Sequence, residues 1–137
     1  MGGSRIAEVN IMELNIQKED IKKVKKNQSE RKKKSSKSQK VNVPEELGEI
    51  KNGLCISSIH FYDVKDSKMV IGNILLNDAY VIKGFRVVDG ENGLFVSHPQ
   101  KKIKGDYLDV SYPVSEEVRD RMQTIILAAY NKWDDNN

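Results

Sequence analysis

A chain of 137 residues has room for one domain of ordinary size and little surplus for a second core. Apolar residues make up 38% and charged residues 31%, so part of the chain is expected to stay outside any core. No apolar run approaches the ~20 residues that cross a bilayer, and the first residues lack a secretory hydrophobic segment, which argues against membrane spanning and export. The lone Cys55 has no internal disulfide partner, as suits a reducing compartment, and the expected location is the cytoplasm.

Met1-Gly2-Gly3-Ser4-Arg5-Ile6 carries an acylation-type Gly, but Ile6 stands where Ser or Thr is needed, so lipidation is not expected; the first four residues also read as an expression scar. Ile6, Val9, Met12 and Ile16 have helical spacing, whereas Met12, Leu14 and Ile16 alternate as in a strand, and the period does not decide between them. A short docking element or a membrane-surface helix would fit this segment.

Charge is unevenly placed. Residues 1–40 hold 12 Lys or Arg against 5 Asp or Glu, a net of +7, leaving 11 against 15 in the remainder. The densest part, Lys18 to Lys40, includes Lys22-Lys23, Lys25-Lys26 and Arg31-Lys32-Lys33-Lys34, spaced mainly by Ser, Gln and Asn. Like charges at this density repel, and too little apolar surface is present to offset ordering entropy. Residues 1–50 therefore read as a basic, largely disordered extension, either a solubilising tail or an anion-seeking arm.

From residue 54 the pattern changes. Ile56 to Asp63 alternates as a strand, Lys65-Asp66-Ser67-Lys68 is a polar turn, and Met69 to Leu76 and Ala79 to Val88 are aliphatic runs joined by the hairpin-forming pair Asn77-Asp78. Asp89 to Gly93 forms a second turn into Leu94-Phe95-Val96, which Pro99 closes because it has no amide to donate. Gln100 to Gly105 reads as a loop, and Tyr107 to Ser111 as a short fifth strand. Ser115 is a helix cap, Glu116 and Glu117 suit a helix amino terminus, and Val118, Met122, Ile125, Ile126, Ala129, Tyr130 and Trp133 form one apolar stripe.

The expected fold is α+β: an antiparallel meander of four or five strands over residues 54–134, with the carboxy-terminal helix on one face. Ile74-Leu75-Leu76 and Tyr80-Val81-Ile82 aim apolar groups to both faces, so a second cover is needed. A homodimer through the sheet supplies it; the alternative is that the amino-terminal Ile/Leu segment folds back over that face.

The run Phe85-Arg86-Val87-Val88-Asp89-Gly90-Glu91-Asn92-Gly93-Leu94-Phe95-Val96, followed by Pro99 and then Lys101-Lys102, resembles the signature of the stage V sporulation protein G family of bacterial septation and gene-expression regulators. That signature reads Ile-Arg-Val-Ile-x-Gly-x-x-Gly-Leu-Phe-Val-Ala-Met-Pro with a basic pair one residue later. The likeness runs from Ile56 to Trp133 and takes in Asn77-Asp78, Tyr107 and Asp109 before Pro113, and the Ser-initiated helix. Phe85 replaces an aliphatic, Ser97-His98 replaces Ala-Met, and the first 50 or so residues have no counterpart. The resemblance implies a dimeric regulator that binds DNA, and in some members RNA, with no enzymatic activity, cofactor or small-molecule substrate.

It also implies that Lys101 and Lys102, extended by Lys104, contact nucleic acid. Ammonium groups on a surface loop reach phosphates without being desolvated against a core, giving affinity but little sequence information. With about six phosphates engaged, log K falls against log salt with a slope of roughly −5. The bland reading is a solvated turn whose lysines block edge pairing. Gln100 is a candidate for a base-edge hydrogen bond, Arg86 for an ion pair or dimer contact, and Lys83 for the positive surface or a snorkelling stem. Tyr62, Tyr80, Phe95 and Tyr107 read either as packing or as a platform for unpaired bases.

An enzyme or zinc site would have to use Cys55, His60 and His98 with a carboxylate such as Asp63, but no spacing supports it. The competing function is a protein-interaction module of the division or sporulation machinery, with the basic arm on an acidic partner or anionic surface.

Overall fold

The computed structural model describes residues 14–24, 38–64 and 69–135. In chain order these form β1 (Leu14–Asn15), α1 (Lys18–Lys22), β2 (Gln39–Asn42), α2 (Glu45–Gly48), β3 (Glu49–Lys51), β4 (Leu54–Asp63), β5 (Met69–Leu76), β6 (Tyr80–Gly90), β7 (Gly93–Ser97), β8 (Gln100–Ile103), β9 (Asp106–Asp109) and α3 (Glu116–Asp135). The fold is α+β. A seven-stranded sheet runs β1-β2-β4-β5-β6-β7, with β3 also paired to β4, and β8 and β9 make a separate two-stranded ribbon. All pairings are antiparallel except β1 with β2.

The strands of the expected meander are present. Asn77 and Asp78 have φ of +50° and +52°, and the Ala79 amide donates to the Leu76 carbonyl at 2.8 Å, the geometry of a turn whose twist suits a hairpin. The Asn77 side chain also stitches the neighbouring turn: its Oδ1 accepts from the Cys55 amide at 3.0 Å and its Nδ2 donates to the Gly53 carbonyl at 2.8 Å.

Alternation along the strands separates the two faces of the sheet. Ile56, Ile59, Phe61, Val70, Ile74, Leu76, Phe85, Val87, Leu94 and Val96 are buried on the side facing α3. The helix begins where Ser115 Oγ accepts the Val118 amide at 3.3 Å, and the whole expected stripe from Val118 to Trp133 is buried. Phe61, Tyr130 and Trp133 form its aromatic centre, with ring centroids 5.6–6.0 Å apart. Each such side chain contributes roughly 1.5–3 kcal/mol on leaving water.

Three features differ from the sequence reading. Parts of residues 1–50, expected outside the core, belong to it: Leu14, Ile16, Val41 and Val43 are buried, β2 pairs with β4 through Val41 opposite Ile59, and the half-buried Ile21 and Val24 pack against the core. These residues do not cover the second face of the sheet. They extend its edge, and α1 lies against α3, where Lys132 and Asp20 pair at 3.2 Å; Leu127 and Ala128, off the expected stripe, are buried as well. Residues 25–37, with most of the dense lysine run, lie outside the described residues, as does the Lys65–Lys68 turn. Second, Gln100–Ile103 is a strand instead of a loop, because Lys104 (φ +52°) and Gly105 (φ +89°) turn it back onto Asp106–Asp109. Third, the expected fifth strand accordingly pairs outside the main sheet, in the ribbon.

Ile16 discriminates between an appended arm and an integral segment. It is 1% exposed, so Ile16→Ala is expected to cost about 2–5 kcal/mol in urea unfolding. A midpoint unchanged by the substitution would place this segment outside the cooperative core.

Candidate nucleic-acid interface

The ribbon begins where β7 ends. Pro99 terminates β7, and its carbonyl accepts the Val110 amide at 2.9 Å, closing the base of the hairpin. Register pairs Gln100 with Asp109, Lys101 with Leu108, Lys102 with Tyr107 and Ile103 with Asp106. Directly opposed residues share a face, so one face carries Gln100, Lys102, Tyr107 and Asp109, and the other carries Lys101, Ile103, Asp106 and Leu108. Every residue of both strands is exposed, as are Lys104 and Gly105 at the turn.

A polar chain fixes the ribbon to the sheet. Arg86 on β6 donates through Nη2 to Ser97 Oγ at 3.2 Å and to Gln100 Oε1 at 3.3 Å, and Gln100 Nε2 donates to Asp109 Oδ1 at 2.9 Å. Gln100 thus uses both ends of its amide within the protein and is a brace, in place of the base-edge contact considered from sequence. Arg86 is likewise a brace; of the ion pair or dimer contact expected for it, the ion pair is replaced within the chain by bonds to a hydroxyl and an amide. The three lysines stay available: among the described residues none of Lys101, Lys102 and Lys104 is held in an ion pair, and the Lys102 ammonium lies 5.5 Å from the centroid of the Tyr107 ring.

Sequence reasoning missed what lies beneath the ribbon's base. Leu54, Leu76, Ile82, Phe85, His98 and Met122 are among the side chains lining an apolar cleft of about 310 Å³. The two departures from the family signature meet there, Phe85 packing edge-on to His98 with ring centroids 5.2 Å apart. Among the described residues His98 Nδ1 is buried without a hydrogen-bond partner. Burial holds the imidazole below its usual value of 6.5; Asp109 pulls it back up and Arg119 pushes it further down.

The residues weighed for a nucleophilic or metal site are not brought together. Cys55 adjoins the Asn77 turn, and partial burial followed by the charges of Glu49 and Glu45 raises its thiol pKa, favouring the unreactive form. His60 sits opposite Asn73 and hydrogen-bonds to Ser38, away from the His98 cleft. Among the described residues no group of three or more His, Cys, Asp or Glu is placed to hold a metal ion, and no helix is long and apolar enough to cross a membrane.

Linkage at His98 gives a signed expectation. The unfolded chain takes up a proton as pH falls through about 6.5, whereas the folded chain resists until lower pH. Stability from neutral His98 is therefore complete above that value and declines below it. Urea unfolding at about pH 7.5 and about pH 5.5 should show a loss on acidification that His98→Met reduces; equal losses in both proteins would remove His98 as its source.

A model of the SpoVG family matches residues 54–132, from the start of β4 through most of α3. Relatives named "Putative septation protein SpoVG" include one from Lachnospira eligens, 37% identical over 70 residues that cover 50% of this chain and 80% of the relative. One from Macrococcus caseolyticus is 38% identical over 71 residues, covering 50% of this chain and 62% of the relative. One from Archaeoglobus fulgidus is 36% identical over 80 residues, covering 56% of this chain and 94% of the relative. With the matched span taking in β4–β7, the lysine ribbon and the packed helix, this chain belongs to the SpoVG family.

Proposed function

We propose that the protein is a nucleic-acid-binding regulator of gene expression, linked to septation or sporulation as its relatives' name suggests, and that the β8–β9 ribbon is its phosphate-contacting element. One observation carries the reading: the ribbon is exposed along its whole length and presents Lys101, Lys102 and Lys104 on a braced hairpin. A short antiparallel ribbon is narrow enough to follow a groove or a phosphate track, and its ammonium groups stay hydrated until they displace counterions. Asp106 and Asp109 temper the charge, and Asp109 is already engaged by Gln100.

The reading includes a homodimer. The face of the sheet turned away from α3 carries Met69, Ile71 and Leu75, all half-buried, with Val81 and Phe95 exposed, and a second copy placed there would cover these groups and present two ribbons. Sedimentation equilibrium returning a single-chain mass would remove the dimer from the reading.

The test is a gel shift with DNA and RNA fragments at several salt concentrations. Replacing Lys101, Lys102 and Lys104 by Ala should weaken retention and make the log K against log salt plot shallower by about 1 for each phosphate no longer neutralised. Fully retained affinity would refute the ribbon assignment. The competing reading, a basic arm on an acidic partner or anionic surface, is best probed by changing the lysines of 25–37 to Gln, because deleting residues 1–40 would also take Leu14 and Ile16 out of the core. Loss of partner or vesicle binding in that variant, with a silent ribbon, would favour it.

A further inference from the structure

We infer that the Lys102–Tyr107 face of the ribbon is a stacking site for an unpaired base, so that the preferred ligand is single-stranded nucleic acid. This deepens the nucleic-acid reading above and rests on it.

Tyr107 is 65% exposed, while the aromatic side chains that build the core, Phe61, Phe85, Tyr130 and Trp133, are at most 2% exposed. Packing therefore gives no account of an aromatic at this position. Tyr80 and Tyr112 are as open, at 67% and 66%, yet among the described residues neither has a lysine seated on its ring. At Tyr107 the cross-strand Lys102 does, its ammonium 5.5 Å from the centroid, while the ring stays largely exposed. The ammonium so placed is positioned for the phosphate flanking a base stacked on the open part of the ring.

The platform is also held in advance of binding. Gln100 and Asp109 share its face and are joined at 2.9 Å, Arg86 ties Gln100 to the main sheet, and the Pro99–Val110 bond closes the hairpin. Little ordering entropy remains to be lost when a ligand arrives. A base inside a duplex already has both faces stacked and cannot use such a ring, whereas every unpaired base offers one. Phosphate contacts by Lys101 and Lys104 serve either form, so Tyr107 is the residue that separates them.

Fluorescence anisotropy of the full chain at low salt tests this with labelled oligothymidine, oligouridine and a mixed-sequence DNA duplex, each about 12 nucleotides long. Tyr107→Ala should weaken binding of the single strands at least about fivefold and of the duplex less than about twofold, while Tyr107→Phe keeps the wild-type values. The oligothymidine and oligouridine arms report whether DNA or RNA is taken. Equal loss on single strands and duplex, no loss on either, or a Phe variant as weak as the Ala variant would overturn the stacking site and leave the phosphate ribbon standing. A wild-type chain that binds none of the three would overturn both.

Discussion

One amphipathic helix can cover one face of a sheet, and the rest of this structure follows from which face it takes. The stripe from Val118 to Trp133 shares one buried core with Ile59, Phe61, Val70, Ile74, Phe85 and Val87, and Phe61, Tyr130 and Trp133 form its aromatic group. Side chains at alternate positions then project away from the helix, where Met69, Ile71 and Leu75 are half-buried and Val81 and Phe95 stay exposed. β1, α1 and β2 reinforce the covered side: they lengthen the sheet and bury the flank of α3 at Leu127 and Ala128. The ribbon, leaving the last sheet strand at Pro99, is free of the core altogether.

Freedom from the core sets the chemistry of the ribbon. Lysines packed into the sheet would need partners or would lose hydration, and either outcome would weaken any contact they could make with a phosphate. On the ribbon they keep their water, and the geometry comes instead from other side chains. Arg86 braces Ser97 and Gln100, and Gln100 in turn braces Asp109, so positional order is obtained without neutralising Lys101, Lys102 or Lys104. In this chain the stretch from Phe85 to Gln100 therefore has two physical tasks. Phe85, Val87, Leu94 and Val96 fill the core, while Arg86 and Gln100 aim the hairpin that follows.

Local signals made much of the fold legible. Period-two alternation marked β4, aliphatic runs bounded by turn residues marked β5 to β7, positive-φ residue types marked the Asn77-Asp78 turn, and three-and-four spacing with Ser115 marked α3. What escaped was decided by tertiary pairing. Gln39 to Asn42 is polar except for Val41, and its strand character comes from β4 alongside; Leu14 and Ile16 had no decisive period and were fixed by the sheet edge and the helix flank. Gln-Lys-Lys-Ile has no alternation to announce β8, although Lys104-Gly105 was a hairpin signal that the preceding proline obscured. At the site, Lys101, Lys102 and Lys104 were readable as exposed cations. The brace through Gln100 and the seating of Lys102 on Tyr107 depend on cross-strand register, which residue types alone do not give.

The central claim is that polyanions meet this protein at the ribbon and not at the polar side of α3 or at the sheet edge. Backbone amide chemical-shift mapping during titration with an oligonucleotide reads this directly. The account predicts that shifts concentrate between Gln100 and Asp109, with Arg86 and Ser97 following through the brace and α3 unmoved. Shifts centred on α3, or spread through residues 14–51 with a silent ribbon, would contradict it.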